Sequence, residues 1–335
     1  MPETVDISTQ VGGVSLANPI ILASGPPGHS PSGLARYAQA GCGAVISKTL
    51  TRKARKGNPR PRVVRIAGDS LINAEGTPNL GEEIYAQKLA RERKRLALTV
   101  LVISIAGTDI DEFVNLARAA QRMGAQVVDI DISCPNIGRN DIPIGGAGNW
   151  QLDRRLLNDL ISRLKREITL PLWVKMTNQY GNLLENARVA ARAGADALIP
   201  LPTIGGMPID LETGRPVLSF SQGVGLITGP AIKYAGIKLV ADLRRVVDVS
   251  IIGTGGCSSA EDLVQYIMAG ADAVQMLSAF MYHGPDRVGK ILADLVSFMS
   301  KKGYSKLDDF RGLTLKYLPA EPFALYYRPG NNASG

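Results

Sequence analysis

Several residue types that mark particular classes of protein are scarce in this chain of 335 residues. Aromatic residues make up 5% of it, there are two histidines, and the three cysteines are Cys42, Cys134 and Cys257. Three cysteines cannot all pair, and their spacing matches no metal site, so we expect a reducing compartment and no metal. No apolar run could cross a bilayer, and no basic segment followed by an apolar run opens the sequence. We therefore expect a cytoplasmic protein without a membrane anchor.

The chain also lacks a strong excess of either positive or negative charge. Lysine and arginine number 38 against 30 acidic residues, a net charge of +8, which favours anionic ligands only weakly. The densest basic run, Arg52–Arg65, would be the nucleic-acid-binding segment of a nucleic-acid binder, but it has no interleaved aromatic residues. No nucleic-acid partner is therefore expected. Apolar residues reach 45%, enough for a large core.

Short apolar runs alternate with amphipathic stretches along the chain. Strand-like runs lie at 19–23, 44–47, 100–105, 127–132, 172–176, 197–201, 250–253 and 273–277. Helical periodicity is clear at 111–123, 154–168 and 183–193. This alternation predicts a closed (β/α)₈ barrel that forms one domain over residues 1–335. An open doubly wound sheet is the alternative, but no GxGxxG follows the first strand.

A weak repeat supports the strand count. The segments AGCGAV, MGAQVV, AGADAL and AGADAV begin at Ala40, Met123, Ala193 and Ala269. In each, a glycine is placed to end a helix in the left-handed conformation just before the next strand.

Two insertions interrupt the alternation, at about 49–81 and 203–230. The first contains GNPRPRVVRI, which suits a small extra hairpin, and both leave from the carboxyl ends of strands. Because barrel enzymes place their chemistry at that face, the insertions should roof the site.

The stretch Val127–Asn149, VVDIDISCPNIGRNDIPIGGAGN, is the strongest candidate for a catalytic motif. A β-branched strand ends in Ser-Cys-Pro-Asn, and a long glycine-rich loop follows, which favours a binding loop or lid. Cys134 is then a candidate catalytic group, although a small buried hydrophobe is the commoner role of such a cysteine.

Lysines and glycines follow other strands. Lys48 and Lys175 come directly after apolar runs, where a lysine needs an anion or an electron-rich ligand, although structural ion pairs with Asp129 or Asp131 would also explain them. Gly255 and Gly256, with a serine after the last strand, match the usual phosphate site of barrels. A phosphorylated cofactor over an acid–base group fits this set. A lysine Schiff-base enzyme is the non-redox alternative.

The motifs, taken together and in order, resemble the class 1 dihydroorotate dehydrogenases, which are FMN-containing (β/α)₈ barrels. The resemblance rests on NPIILASG from Asn18, ISKTLT with Lys48, KGNPRPR from Lys56, LINAEGTPNLG from Leu71, VISIAG from Val102, ISCPN from Ile132, LWVKM with Lys175, GMPID from Gly206, TGPAIK from Thr228 and IIGTGG from Ile251.

The resemblance implies an FMN-dependent CH–CH oxidoreductase in which Cys134 takes a proton while a hydride passes to flavin N5. It implies Cys134, Lys48 and Lys175 as the catalytic set and a homodimer, or a complex with an iron–sulfur flavoprotein subunit. The substrate would meet Asn73, Asp131, Asn136 and Thr203. FMN would meet Ala23, Ser24, Gly25, Lys48, Lys175, Gly229, Gly255, Gly256 and Ser278.

Some positions depart from the family pattern. Asp131 and Pro202 stand where asparagines are usual, Glu75 stands where small or apolar residues are usual, and Leu277-Ser278 replaces Gly-Thr. An ionised aspartate only accepts hydrogen bonds and a proline side chain makes none, so amides expected around orotate are missing. These departures predict a dihydropyrimidine-like or related cyclic or unsaturated substrate. The alternative is a genuine class 1 dihydroorotate dehydrogenase of pyrimidine biosynthesis.

Overall fold

A computed structural model of the chain describes residues 5–133, 149–180 and 182–322. Within these ranges the fold is a closed barrel of parallel strands with helices outside it. The strands are β1 Thr9–Val11, β2 Val14–Leu16, β3 Ile20–Leu22, β4 Ala44–Ile46, β5 Val63–Ile66, β6 Ser70–Asn73, β7 Val100–Ile105, β8 Val127–Asp131, β9 Leu172–Thr177, β10 Ala197–Leu201, β11 Gly205–Gly206, β12 Gly225–Thr228, β13 Ser250–Thr254 and β14 Ala273–Met276. The helices are α1 Pro31–Gln39, α2 Glu82–Leu96, α3 Ile110–Arg122, α4 Asn149–Leu152, α5 Arg154–Glu167, α6 Leu183–Arg192, α7 Lys233–Arg244, α8 Ala260–Met268, α9 Ser278–His283 and α10 Arg287–Lys302.

The barrel strands follow one another around the ring in chain order, β3, β4, β7, β8, β9, β10, β13 and β14, and β14 pairs with β3 to close it. All these pairings are parallel, as in a (β/α)₈ barrel. The predicted fold class is confirmed, and the doubly wound alternative is excluded by the closure.

The core has two layers. Side chains that point into the barrel, among them Ile21, Val102, Trp173 and Ile252, form an inner cluster that is fully buried. Side chains on the outer strand surface pack against the helices and form a larger cluster. Burial on both faces explains why the strands are nearly continuous apolar runs rather than alternating ones.

Local signals in the sequence set the helix boundaries. The side chains of Asp109, Asp153, Asn182 and Ser259 accept backbone N–H hydrogen bonds at the first turns of α3, α5, α6 and α8. The repeat glycines end the preceding helices as predicted. Their φ angles are +97° at Gly41, +77° at Gly124, +106° at Gly194 and +109° at Gly270.

The two insertions meet above the carboxyl ends of the barrel strands. The predicted hairpin is β5–β6, and the second insertion contributes β11 and β12 to the same sheet, with the order β11-β12-β6-β5. The sequence predicted two separate excursions because the pairing of β12 with β6 joins residues far apart in the chain.

A hairpin that the sequence reading missed lies at the other end of the barrel. Strands β1 and β2 pair antiparallel, and the indole Nε1 of Trp173 donates to the carbonyl oxygen of Gly12 at 3.3 Å. Trp173 is near the start of β9, so the hairpin covers the amino-terminal end of the ring. In the described ranges, no helix combines the length and the apolar composition that a membrane crossing requires.

Candidate functional site

A cavity of about 240 Å³ opens at the carboxyl ends of the barrel strands, beneath the four-stranded sheet. Every predicted site residue in the described part of the chain lines it. These residues are Ala23, Ser24, Gly25, Lys48, Asn73, Asp131, Lys175, Thr203, Gly229, Gly255, Gly256 and Ser278. The predicted catalytic Cys134 and the predicted substrate residue Asn136 lie outside the described residues. The described Ser133, directly before Cys134, is in the cavity wall.

Lys48 follows β4 and meets a partner from the roof. Its Nζ lies 2.7 Å from Oε2 of Glu75, which follows β6. The two side chains are 11% and 20% exposed and both line the cavity. The ion pair therefore bridges the barrel and the inserted sheet at the cavity wall.

Lys175 lies deeper, on β9. Its Nζ is 3.0 Å from Oδ2 of Asp129 on the neighbouring β8, and the Asp129 side chain is fully buried. Burial raises the pKa of Asp129 above its usual value, the ammonium of Lys175 opposes that rise, and Asp131 adds to it. The possibility that Asp129 pairs with one of the lysines, read from the sequence, is thus confirmed for Lys175.

Asp131 ends β8 and faces the cavity. Its carboxylate accepts hydrogen bonds from the backbone N–H of Ser133 at 3.1 Å, from the Ser133 hydroxyl at 2.7 Å and from the Thr49 hydroxyl at 3.1 Å. Burial alone would raise the pKa of Asp131, but Lys175 and these hydrogen bonds outweigh it, and the net shift is downward. The lowered pKa favours the carboxylate form of Asp131, which is a hydrogen-bond acceptor in the cavity lining.

Thr49 was not predicted as a site residue. Its hydroxyl lies 3.2 Å from that of Ser24 and 3.1 Å from that of Ser104, so it links the ends of three barrel strands to Asp131. The sequence shows only that Thr49 follows Lys48 directly; its place in the site comes from its hydrogen-bond partners in the structure.

Gly255 and Gly256 follow β13, and Gly256 packs closely against Gly229, which follows β12. A Cβ on Gly256, whose φ is +68°, would come 2.4 Å from the carbonyl oxygen of Gly229, so only glycine fits there. Ser278 begins α9 nearby in the same cavity wall. Backbone N–H groups and a hydroxyl of this kind suit a phosphate.

Two of the departures from the family pattern pack against these glycines. A Cβ built on Gly255 would lie 2.7 Å from Cγ of Pro202, and one on Gly25 would lie 2.6 Å from Cδ1 of Leu277. Pro202 and Leu277 therefore fill space that the glycines leave open. Beside Pro202, the backbone N–H of Thr203 donates to the Asn178 side chain at 2.8 Å, and its hydroxyl pairs with that of Thr177 across β9 and β10.

Gln275 on β14 was also not predicted. It is 3% exposed and lines the cavity, and its Nε2 has no hydrogen-bond partner among the described residues. A buried amide donor without a partner is costly unless a ligand or water accepts from it. The sequence did carry a signal, since a glutamine inside the apolar strand AVQM needs a polar partner.

The residues present fit a flavin mononucleotide. The glycine segment and Ser278 suit its phosphate. The unpartnered amide N–H of Gln275 and the cation of Lys175 suit the carbonyl oxygens and ring nitrogens of the flavin. The Schiff-base alternative fits less well, because the amino group of each lysine is engaged by a carboxylate. In the chain as described, no cluster of histidine, cysteine, aspartate and glutamate could hold a metal ion.

Similarity to known proteins agrees with this geometry. The family model described as dihydroorotate dehydrogenase matches residues 6–299. Dihydroorotate dehydrogenase A (fumarate) of Limosilactobacillus reuteri is 35% identical over 312 residues, which covers 92% of this chain and 98% of that protein. The catalytic subunit of dihydroorotate dehydrogenase B (NAD(+)) of Methanocaldococcus jannaschii is 34% identical over 309 residues, covering 92% and 97%. The subunit of the same name from Bacillus pumilus is 30% identical over 312 residues, covering 93% and 97%.

Class 1 members of this family are FMN-dependent oxidoreductases that act on CH–CH bonds, as the resemblance implied. The expected cofactor, FMN, is the one for which the cavity is suited. With the family match over most of the sequence, the closed barrel and the converging site residues, the chain belongs to the dihydroorotate dehydrogenase family.

Proposed function

We propose that this protein oxidises dihydroorotate to orotate, with FMN as the bound electron acceptor. The observation that carries the proposal is the convergence of the predicted site residues on one cavity in a chain similar over most of its length to proteins named dihydroorotate dehydrogenase. The sequence-based expectation of a different substrate finds no support among these relatives. Their names favour the alternative, dihydroorotate itself.

The reaction removes a proton from one carbon and a hydride from its neighbour. Cys134, which follows β8 in the sequence, is the proposed base, because a thiolate can accept the proton that leaves the substrate carbon. When bound, FMN supplies the acceptor for the hydride. The Lys175 ammonium is fixed by Asp129. Its positive charge would stabilise the electron density that the flavin ring gains on reduction.

Asp131 is compatible with this substrate. A cyclic amide presents N–H donors, and the ionised carboxylate of Asp131 faces the cavity as an acceptor. Compared with an asparagine at this position, Asp131 lacks the amide donor but still offers an acceptor for a ring N–H. Asn73 and Thr203 also line the cavity and are the other described residues that we assign to the substrate.

Incubation of the purified protein with dihydroorotate and an electron-accepting dye should produce orotate, identified by its mass. The matched control is dihydrouracil, which has the same ring without the carboxylate. Orotate formation supports the proposal. Oxidation of dihydrouracil alone would contradict it.

A second candidate is the oxidation of a cyclic amide without a carboxylate. One observation favours it: Glu75 already pairs with Lys48, one of the two lysines in the described lining. The same incubation separates the two candidates.

The proposal extends to the partner and to the location in the cell. The similarity to catalytic subunits of the B type supports an electron-transfer subunit as partner, and exposed apolar side chains in the second insertion, Met207, Ile209 and Leu211, would suit a protein interface. A homodimer, a single domain over 1–335 and a cytoplasmic location complete the proposal. The molar mass in solution, measured by light scattering, tests the dimer.

The unpartnered side-chain amide of Gln275 leads to a prediction about FMN binding. The protein should purify yellow with about one FMN per chain, and Gln275→Leu should weaken FMN binding about tenfold because one buried hydrogen bond is lost. Fluorescence of released flavin on dilution measures this. Gln10→Leu, at the opposite end of the barrel, is the control. Recovery of FAD, or unchanged FMN affinity in Gln275→Leu, would contradict the assignment.

A further inference from the structure

We propose that Glu75 is a specificity-determining residue, which competes with the anionic group of the substrate for Lys48. The inference rests on the proposed function in that it takes the substrate to be a ring that carries a carboxylate. It concerns how strongly the cavity discriminates between that ring and its uncharged counterpart.

The Glu75 backbone is held in place. Its carbonyl oxygen accepts from the backbone N–H of Asn58 at 2.8 Å, and the Asn58 side chain donates to the carbonyl oxygen of Ala74 at 2.8 Å. The next two residues, Gly76 and Thr77, have positive φ angles of +71° and +54°, a backbone conformation that few residues adopt. The carboxylate can therefore leave Lys48 only by rotation of its side chain.

The described lining of the cavity contains equal numbers of basic and acidic residues. The charged residues in the described lining are Lys48 and Lys175 on one side and Glu75 and Asp131 on the other, two of each sign. Lys175 is engaged by Asp129, which is fully buried and cannot move into solvent. Of the two lysines, only Lys48 has a partner that can turn away.

An anionic ligand must consequently displace Glu75 to reach a cation in the described lining. Displacement gives up an ion pair with a 2.7 Å contact between side chains that are mostly shielded from solvent. An uncharged ring has no such requirement. Glu75 should thus lower the affinity for the carboxylated ring selectively, and its removal should reverse this.

The test compares two ligands and three proteins, each loaded with FMN. Orotate and uracil are titrated against the flavin absorbance of the wild type, Glu75→Gln and Glu83→Gln. Glu83 is exposed on α2 and controls for the loss of one negative charge. Glu75→Gln should bind orotate roughly tenfold more tightly than the wild type, whereas uracil binding and the Glu83→Gln protein should change less than about twofold.

Weaker or unchanged orotate binding in Glu75→Gln would overturn the proposal, as would an equal gain for uracil or no orotate binding in any of the proteins. Glu75→Ala, which also removes the charge, replaces Glu75→Gln if that variant does not fold. Failure of the proposed function is a separate outcome. In that case orotate binds Glu75→Gln more tightly, but dihydroorotate reduces the flavin of neither protein.

Discussion

Replacing Cys134 by alanine is expected to leave FMN bound and to slow flavin reduction by substrate roughly 10²–10⁴-fold. That factor is the usual contribution of a positioned general base. Cys134 follows Ser133, whose backbone N–H and hydroxyl are bound to Asp131, so the chain enters this segment from a fixed point at the cavity wall. Rapid anaerobic mixing of the oxidised enzyme with dihydroorotate measures the rate.

Two variants sharpen that prediction. Cys134→Ser should retain more activity than Cys134→Ala if a hydroxyl can replace part of the base function. Cys42→Ala is the matched control, since Cys42 is buried in the core and burial raises its pKa to about 12, which makes it an inert thiol. An unchanged rate in Cys134→Ala would show that the thiol has no catalytic role.

Lys175→Met is expected to lower the free energy of unfolding by about 3–5 kcal/mol at neutral pH, because it leaves the carboxylate of Asp129 buried without its cation. Asp129 is fully buried and its Oδ1 has no hydrogen-bond partner among the described residues. Lys175→Met should also lose FMN affinity, since the cation lines the cofactor cavity. Urea denaturation of the wild type and the variant gives the difference in stability.

The pH dependence of that loss identifies its cause. Asp129 already has a raised pKa in the folded protein, and removing Lys175 removes a group that lowers it. A carboxyl with a raised folded-state pKa stabilises the fold most below its unfolded value of 3.8, and this contribution disappears as the pH rises through the folded-state pKa. The variant should therefore be close to the wild type near that value and fall behind it as the pH rises.

Lys175→Met combined with Asp129→Asn should recover most of the lost stability, because the buried charge is then absent. A loss that is independent of pH, or a double variant no more stable than Lys175→Met, would mean that the lysine stabilises the barrel by packing rather than by compensating Asp129.

The barrel could be predicted from the sequence because its signals are local. Strands such as β7 and β10 are apolar runs with the same bounds in the sequence prediction and in the structure. The helix-ending glycines at 41, 124, 194 and 270 stand shortly before β4, β8, β10 and β14. The hairpin of β1 and β2 was missed because strands of three residues carry too little periodicity.

The sequence predicts which residues lie at the site but not which of them contact one another. Barrel topology brings the carboxyl ends of the strands together, so Lys48, Lys175 and Asp131 were expected to meet. Which charge pairs with which depends on the insertions. The contact of Glu75 with Lys48 requires the sheet that β6 makes with β12, and no local pattern encodes it.

The substrate was the least predictable part. In the sequence, Asp131 in place of the usual asparagine predicts weak dihydroorotate binding, because an amide donor is lost. In the structure Ser133 and Thr49 donate hydrogen bonds to that carboxylate and help to lower the pKa of Asp131, so it remains an acceptor for a ring N–H. The loss of one donor therefore does not exclude the ring.

Anaerobic mixing of the FMN-loaded protein with dihydroorotate, followed through the visible absorbance of the flavin, tests the central claim most directly. The proposed function predicts that the absorbance of oxidised flavin disappears in a single turnover and that an equal amount of orotate is formed. Flavin that stays oxidised with dihydroorotate but is reduced by dithionite would contradict it.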